Sequence, residues 1–314
     1  MRIVLNCTPR LDTGTRASLT RSRVTQIASW VLIGLGLGYV ALLLLLWGFQ
    51  ERVVFQPPAI PQVAASAGPP QARRVDYTTS DGVHLFAYVV GECGSQRPVM
   101  LVFHGNADVA RWLVPWAKEA ATRTNLCVVL AEYRGYDGLA GVPSYAGSAR
   151  DALAALQLTR DTLGVTPDRL VLFGHSLGTA IAAELAMTIR PRALVLQSPF
   201  TTAQDMARRM FVPGLNAVWR LISRVHFDTL ARVKALAAPV SVVHGDRDFI
   251  IPDWMGRAVY NSAKEKGQLL IVHGAGHNDV PQIGAEEYWS WLTHAANLGS
   301  VTTRSAEAAR QSAP

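Results

Sequence analysis

Residues Leu172–Ala180 read LFGHSLGTA, and this stretch gives the strongest indication of the fold. The apolar run Leu170–Gly174 precedes Ser176, and a helical pattern begins at Leu177. The chain must therefore turn sharply from strand to helix at the serine, and glycines at 174 and 178 make that turn sterically possible. Free N–H groups at the helix start would lie beside the hydroxyl. The pattern predicts a nucleophilic serine; the alternative is a serine that only caps the helix.

The chain on either side of this stretch alternates between strand and helix patterns. Short apolar runs predict strands at Val75–Thr78, His84–Val90, Pro98–His104, Cys127–Glu132, Leu170–Gly174, Ala193–Ser198, Val240–Gly245 and Leu269–Val272. Helical periodicity predicts helices at Val109–Ala121, Tyr145–Leu163, Leu177–Ile189, Met255–Lys264 and Ala285–Ala296. This order predicts an α/β fold, with a mostly parallel eight-stranded sheet covered on both faces and an antiparallel hairpin at its start. Ligands of such sheets bind beyond the carboxyl ends of the strands.

A nucleophilic serine needs a base and an acid, and both types follow Ser176 along the chain. Asp246 and Asp248 follow the predicted strand Val240–Gly245, and His273 and His277 follow the last strand. Asp248 is the preferred acid because it lies where the chain leaves the sheet, whereas Asp246 suits a turn. His277, on a glycine-rich loop, is the preferred base, and His273 is expected to be packed or solvated.

The negative oxygen that forms during acyl transfer needs two fixed N–H donors. The backbone N–H of Leu177, directly after the serine, is one candidate. The loop FHGNAD at 103–108 follows the third strand, and its Asn106 is the candidate for the second donor. The alternative for this loop is an ordinary glycine turn before a helix.

Composition limits the other possibilities. The chain has 314 residues, 49% hydrophobic and 17% charged, with a net charge of +7 that lies largely in a short arginine-rich start. We therefore expect no nucleic-acid partner. The three cysteines lack the spacing of a zinc site, and we expect neither a metal nor a cofactor. Cys93 and Cys127 are expected to be unpaired thiols; a bridge between them would require an oxidising compartment.

A membrane segment is predicted at Trp30–Phe49, which contains no charged residue. No small-residue cleavage site follows closely, so an uncleaved signal anchor is favoured over a signal peptide. Arginines before the segment predict a cytoplasmic amino terminus and a catalytic domain on the other side, in a bacterial periplasm. Gly34 and Gly38 have the spacing of a helix-pairing motif, a weak indication of a homodimer.

The predicted organisation has five parts. Residues 1–29 form a basic cytoplasmic tail, 30–49 the anchor, 50–72 a Pro/Ala linker, 73–298 the catalytic domain and 299–314 a disordered tail. A short lid is expected at about 203–228.

Six motifs in chain order carry a family resemblance. They are FHGNAD at 103–108, EYRGYDG at 132–138, GHSLGTA at 174–180, QSPFTT at 197–202, HGDRDFIIP at 244–252 and GAGHND at 274–279. Together they resemble the α/β-hydrolases, and more narrowly the membrane-anchored BEM46-like serine hydrolases related to the S33 serine aminopeptidase domain. The resemblance implies Ser176, Asp248 and His277 as the triad, with Asn106 and Leu177 as oxyanion donors. Asp137 departs from the family pattern and leaves the shape of its loop open.

The resemblance also suggests where the substrate binds. Tyr133 matches a position near the pocket, although it would serve equally well as a packing residue. The lid is rich in apolar side chains, so Phe200, Phe211 and Trp219 are further pocket candidates, favouring acyl groups. We expect a serine esterase for lipid or acyl esters. The alternatives are an S33-type aminopeptidase or amidase, and a membrane-anchored scaffold without activity.

Overall fold

A computed structural model describes residues 13–60, 68–94, 97–209, 217, 219 and 222–298, with side chains from residue 23 onward. The chain divides into two compact units, Met1–Phe49 and Gln50–Pro314. Four predicted parts lie wholly or partly outside the described residues: the start of the basic tail, the middle of the linker, the central part of the lid and the tail after residue 298.

The first helix, α1 (Thr13–Val54), extends beyond the predicted anchor in both directions. From Arg23 to Val54 it is long and apolar enough to cross a membrane, with a mean hydropathy of 2.3 in its most apolar window. Most of its large apolar side chains are exposed, which distinguishes it from a core helix of a soluble domain. It is thus a candidate single-pass anchor. Pairing through Gly34 and Gly38 remains a prediction.

Within the described residues of the second unit, eight strands form one sheet in the order β1-β2-β4-β3-β5-β6-β7-β8. They are β1 (Arg73–Thr78), β2 (His84–Val90), β3 (Val99–Phe103), β4 (Cys127–Ala131), β5 (Leu170–His175), β6 (Ala193–Gln197), β7 (Val240–Gly245) and β8 (Lys266–Val272). The β1–β2 and β2–β4 pairs are antiparallel and all other pairs are parallel. The predicted fold class is confirmed.

Helices cover both faces of this sheet and complete two apolar layers. They are α2 (Val114–Thr124), α3 (Tyr145–Leu163), α4 (Leu177–Ala186), α5 (Ala203–Arg208), α6 (Thr229–Ala235), α7 (Asp253–Ser262) and α8 (Val280–Asn297). The predicted helix at Val109 is divided: a short 3-10 helix, Ala110–Leu113, comes first, and α2 then begins with a proline in its first turn.

The expectation of unpaired thiols is wrong: Cys93 and Cys127 form a disulfide in the structure, with their Cα atoms 5.0 Å apart. The cause is the antiparallel pairing of β2 with β4, in which Val90 lies opposite Val128. This pairing brings the segment just after β2 to the first residue of β4. Because three other elements separate these strands along the chain, their pairing was not evident from sequence spacing.

The first part of the predicted linker, residues 50–60, is not a free linker in the structure. Residues 51–54 are the last turn of α1, and Phe55 is buried in the core with 4% of its surface exposed. Val54 and Ile60 pack against the same core. Residues 50–60 therefore belong to the second unit, with the sheet.

Candidate active site

Ser176 lies at the turn between β5 and α4, at the carboxyl end of the sheet. Its backbone has φ 52° and ψ −117°, a strained conformation for a residue with a side chain. A Cβ at Gly174 would overlap the carbonyl of Gly178, and a Cβ at Gly178 would overlap the carbonyl of Phe103. The two glycines are thus required by close backbone approach, and the Ser176 N–H is fixed by the carbonyl of Gln197 at 3.0 Å.

His277 connects the serine to a carboxylate. Its Nε2 is 2.9 Å from the Ser176 Oγ, and its Nδ1 is 2.6 Å from the Asp248 Oδ2. The side chain of Asp248 is fully buried and that of His277 is 9% exposed. A neutral imidazole protonated at Nδ1 would donate to Asp248 and accept the serine proton at Nε2. The three preferred residues therefore form one hydrogen-bonded row.

The Asp248 carboxylate is held by several donors besides His277. Its Oδ1 accepts the N–H groups of Ile250 at 2.9 Å and Ile251 at 2.8 Å. His244, fully buried, places Nε2 3.2 Å from Oδ2 and 2.8 Å from the Ile251 carbonyl. Burial alone would raise the pKa of Asp248, but hydrogen bonds from His244 and His277 outweigh it and hold the pKa well below its usual range. The carboxylate is therefore ionised at neutral pH.

His244 contacts Asp248, but it is not among the site residues that the sequence predicts. Its position near the end of β7, four residues before Asp248, could have indicated this contact. The competing pair, Asp246 and His273, forms a separate contact of 2.8 Å, with the His273 side chain 89% exposed. It is not part of the row that reaches Ser176.

The loop after β3 lies beside this row and carries Asn106. The Asn106 Oδ1 accepts from the backbone N–H of Gln56 and from the Tyr136 hydroxyl, each at 2.8 Å. Its Nδ2 donates to the Val54 carbonyl at 2.7 Å. Within the described residues, no acceptor is recorded for the backbone N–H of Asn106 or of Leu177. Leu177 is the first residue of α4, where helix geometry leaves the N–H free.

A buried carboxylate also holds the loop after β3 in place. Glu132, fully buried, contacts the His104 Nε2 at 2.8 Å and accepts the N–H groups of Ala110 at 2.9 Å and Tyr133 at 3.0 Å. Asp137, the departure from the family pattern, forms an ion pair with Arg111 of the short 3-10 helix. Both contacts fix the start of that helix relative to β4.

A cavity of about 590 Å³ opens on Ser176 and His277. Its other lining residues are Gln56, Asn106, Ala107, Asp108, Trp112, Leu113, Trp116, Phe173, His175, Gln197, Ile250, Asn278, Pro281 and Gln282. Apolar and polar side chains are thus mixed around the hydroxyl. Among the described residues, no group of His, Cys, Asp and Glu side chains could hold a metal ion.

The predicted pocket residues lie elsewhere. Tyr133 is 3% exposed and donates its hydroxyl to the His104 carbonyl, and Phe200 is 6% exposed in the core. Trp219 packs against the core, and Phe211 lies outside the described residues. Tyr133, Phe200 and Trp219 do not line the cavity at Ser176, because their side chains complete the packing beneath the loops.

Comparison with known proteins identifies the family. Residues 94–229 match the family model described as serine aminopeptidase, S33. The uncharacterized protein Rv2307c of Mycobacterium tuberculosis is 34% identical over 90% of this chain and 99% of its own length. Protein bem46 of Schizosaccharomyces pombe is 29% identical over 69% of this chain and 77% of its own length.

The solved structures agree on the fold. An esterase of Pyrococcus furiosus superposes with a TM-score of 0.59 at 19% identity, covering 75% of this chain and 95% of the esterase. At that identity the likeness concerns the fold alone, while the sequence relatives and the family model carry the assignment. The chain belongs to the α/β-hydrolases and, within them, to the BEM46-like proteins.

Proposed function

We propose that this hydrolase cleaves carboxylic esters through an acyl-enzyme on Ser176. The observation that carries the proposal is the row Ser176–His277–Asp248, with contacts of 2.9 and 2.6 Å at the mouth of a cavity. In this role His277 is the base, and Asp248 holds its tautomer and stabilises its charged form. The backbone N–H groups of Asn106 and Leu177 are the oxyanion donors.

The reaction has two steps. The His277 Nε2 takes the hydroxyl proton while the Ser176 Oγ bonds to the ester carbonyl carbon, and the carbonyl electrons move onto oxygen. When the intermediate collapses, the bond to the alcohol oxygen breaks and that oxygen takes the proton from His277. Water then attacks the acyl group, His277 accepts its proton, and the acid leaves as Ser176 regains a proton.

An acyl group of lipid type is the substrate that we favour. Trp112, Leu113, Phe173 and Ile250 offer apolar surface in the cavity beside the serine. Phe249, next to this wall, is 87% exposed, and Ile250 is 54% exposed. Together with the candidate membrane helix, these exposed apolar side chains support a substrate drawn from a lipid surface.

The experiment is hydrolysis of p-nitrophenyl esters from acetate to palmitate by the full chain in detergent, beside its Ser176→Ala variant. We expect the variant to lose about four to six orders of magnitude in kcat. A maximum at medium or long chains would agree with a lipid acyl substrate. Ester turnover retained in a folded Ser176→Ala protein would eliminate the mechanism.

An S33-type aminopeptidase is the second candidate, and Asp108 is the observation that favours it. This carboxylate lines the cavity at Ser176, and its one described hydrogen bond is from the N–H of Val109 at 2.8 Å. Burial raises the pKa of Asp108. A substrate ammonium group would pair with such a carboxylate. Faster hydrolysis of aminoacyl p-nitroanilides than of esters, together with a raised KM for them in Asp108→Asn, would establish this alternative.

The side of the membrane is also a proposal: the catalytic domain lies outside the cytoplasm and the amino terminus inside. Arginines before the apolar helix support this orientation, and so does the bond between Cys93 and Cys127, since disulfides persist in oxidising compartments. An alkaline phosphatase fused after Pro314 should be active. Inactivity of that fusion, with fluorescence of a green fluorescent protein fused at the same place, would reverse the orientation.

A further inference from the structure

The segment directly after the apolar helix, residues 50–60, makes more contacts with the catalytic domain than a linker would. The Gln50 side chain donates to the Ile222 carbonyl at 2.9 Å and accepts the Arg224 N–H at 2.5 Å. The Glu51 Oε1 accepts the N–H of Tyr145 at 3.1 Å. These contacts connect the segment to two separate parts of the domain, and we call residues 50–60 the docked segment.

Phe55 anchors the centre of the docked segment. Its side chain is buried in the core, and its ring centre lies 6.3 Å from that of Phe227. Truncating a buried aromatic ring of this kind usually leaves a cavity and lost packing. The position of Phe55 therefore fixes the backbone on either side of it, at Val54 and Gln56.

Those two backbone groups are the partners of Asn106. The Val54 carbonyl accepts from the Asn106 Nδ2, and the Gln56 N–H donates to the Asn106 Oδ1. The Tyr136 hydroxyl supplies a third bond to the same amide. Hence the Asn106 side chain is held on one side by the docked segment and on the other by the loop after β4.

We propose that the docked segment is a positioning element of the active site, which acts by holding Asn106 so that its backbone N–H meets the substrate oxyanion. This inference rests on the proposed function, because it assigns a purpose to the loop after β3 that carries Asn106, which we call the oxyanion loop after its proposed role. A displacement of about 1 Å in such a donor can cost about 100-fold in rate. The docked segment acts through Asn106 and does not touch the reacting atoms.

Four variants of the full chain in detergent test the proposal by kcat and KM on a p-nitrophenyl ester. Asn106→Ala removes all three side-chain contacts, and we expect kcat to fall about 10- to 100-fold with KM little changed. Tyr136→Phe removes one contact and should give a smaller fall. The matched control is Tyr260→Phe, which deletes a tyrosine hydroxyl that donates to the Gly267 carbonyl instead of Asn106 and should leave kcat unchanged.

Phe55→Ala tests the docked segment itself. It should lower kcat as Asn106→Ala does, and the double variant should be no slower than the more severe single one, because both act through the same loop. Thermal unfolding of each variant identifies any loss of kcat that only reflects instability. Additive losses in the double variant, or an Asn106→Ala protein with wild-type kcat, would overturn the inference while leaving the esterase proposal intact.

Should the wild type hydrolyse no ester, the proposed function fails and the inference is decided by hydrogen exchange. Backbone amides of residues 104–110 should exchange faster in Asn106→Ala and Phe55→Ala than in Tyr260→Phe. Equal exchange in all three variants would overturn the inference.

Discussion

The two loops that meet at Ser176 are fixed in different ways. Residues Gly174–Gly178, which we call the nucleophile loop after the proposed role of Ser176, take their shape from their own sequence. Two glycines let backbones approach, and Ser176 adopts a strained φ of 52°. The oxyanion loop around Asn106 is held by hydrogen bonds from residues 50 positions earlier and 30 positions later. A local motif can therefore be recognised in a sequence, whereas a loop held by tertiary contacts needs the structure.

The largest effect is expected from a methyl group in the nucleophile loop. Gly178→Ala would place a Cβ against the Phe103 carbonyl, and β3 or α4 must shift to admit it. We expect either little folded protein or a loss of ester turnover of about 100-fold or more. Gly105→Ala is the matched change in the oxyanion loop, where the new Cβ meets the His175 side chain at 3.0 Å. Because a side chain can move, its Tm should stay within about 4 °C of wild type.

Both proteins can be compared by thermal unfolding and by p-nitrophenyl acetate turnover. If Gly178→Ala were as stable and active as wild type, the close approach would not determine the nucleophile turn. The contrast between the two loops would then be lost.

Removal of the disulfide should change stability without changing either loop. The Cys93–Cys127 bond spans 34 positions and lies at the amino end of β4, away from the carboxyl ends where Ser176 lies. In Cys93→Ser/Cys127→Ser we expect the free energy of unfolding to fall by about 3–4 kcal/mol. Urea unfolding measures this loss, and kcat should stay within about twofold of wild type. A lower kcat under folding conditions would mean that the site loops depend on overall stability.

The smallest effect concerns His175, which lies where the two loops touch. Burial, together with the positive charge on His277 when it is protonated, lowers the pKa of His175 to about 3. In the unfolded chain a histidine has a pKa near 6.5, whereas the pKa of His175 in the folded chain is about 3. Between these two pH values, the unfolded chain binds a proton at His175 that the folded chain does not bind. The folded state must therefore lose stability as the pH falls through this range.

Urea unfolding at pH 7 and pH 4.5 tests this effect. We expect the wild type to lose on the order of 2 kcal/mol more than His175→Gln between these pH values. Parallel losses in the two proteins would show that His175 accepts a proton in the folded state. The nucleophile loop would then be more open to water than its close backbone contacts indicate.

Much of the fold could be predicted because its signals are local. The strands are short apolar runs with turn residues at their ends, and Ser176 lies between one such run and a helical pattern. The choices of Asp248 over Asp246 and His277 over His273 followed from position relative to strand ends, and the structure places the preferred pair in one row with the serine. Their catalytic roles remain predictions.

The features that were missed depend on pairing between distant segments. Residues 50–60 have the composition of a linker, and it takes the packing of Phe55 and the hydrogen bonds of Gln50 and Glu51 to show that they belong to the domain. The Cys93–Cys127 bond follows from the pairing of β2 with β4, strands that are not consecutive. The cavity walls come from strand ends, loops and helix starts that are far apart in the chain, and Tyr133, Phe200 and Trp219 are not among them.

The docked segment also constrains the order of folding. Residues 50–60 leave the ribosome before their partners at Asn106, Tyr145 and residues 222–224, which are made later. The segment must therefore wait until about seven tenths of the chain has been synthesised before all its contacts can close. Contacts between residues so far apart in the sequence form late. Closing the intervening loop lowers the conformational entropy of the chain before any hydrogen bond compensates for it. The oxyanion loop should thus be among the last parts of the domain to reach its final form.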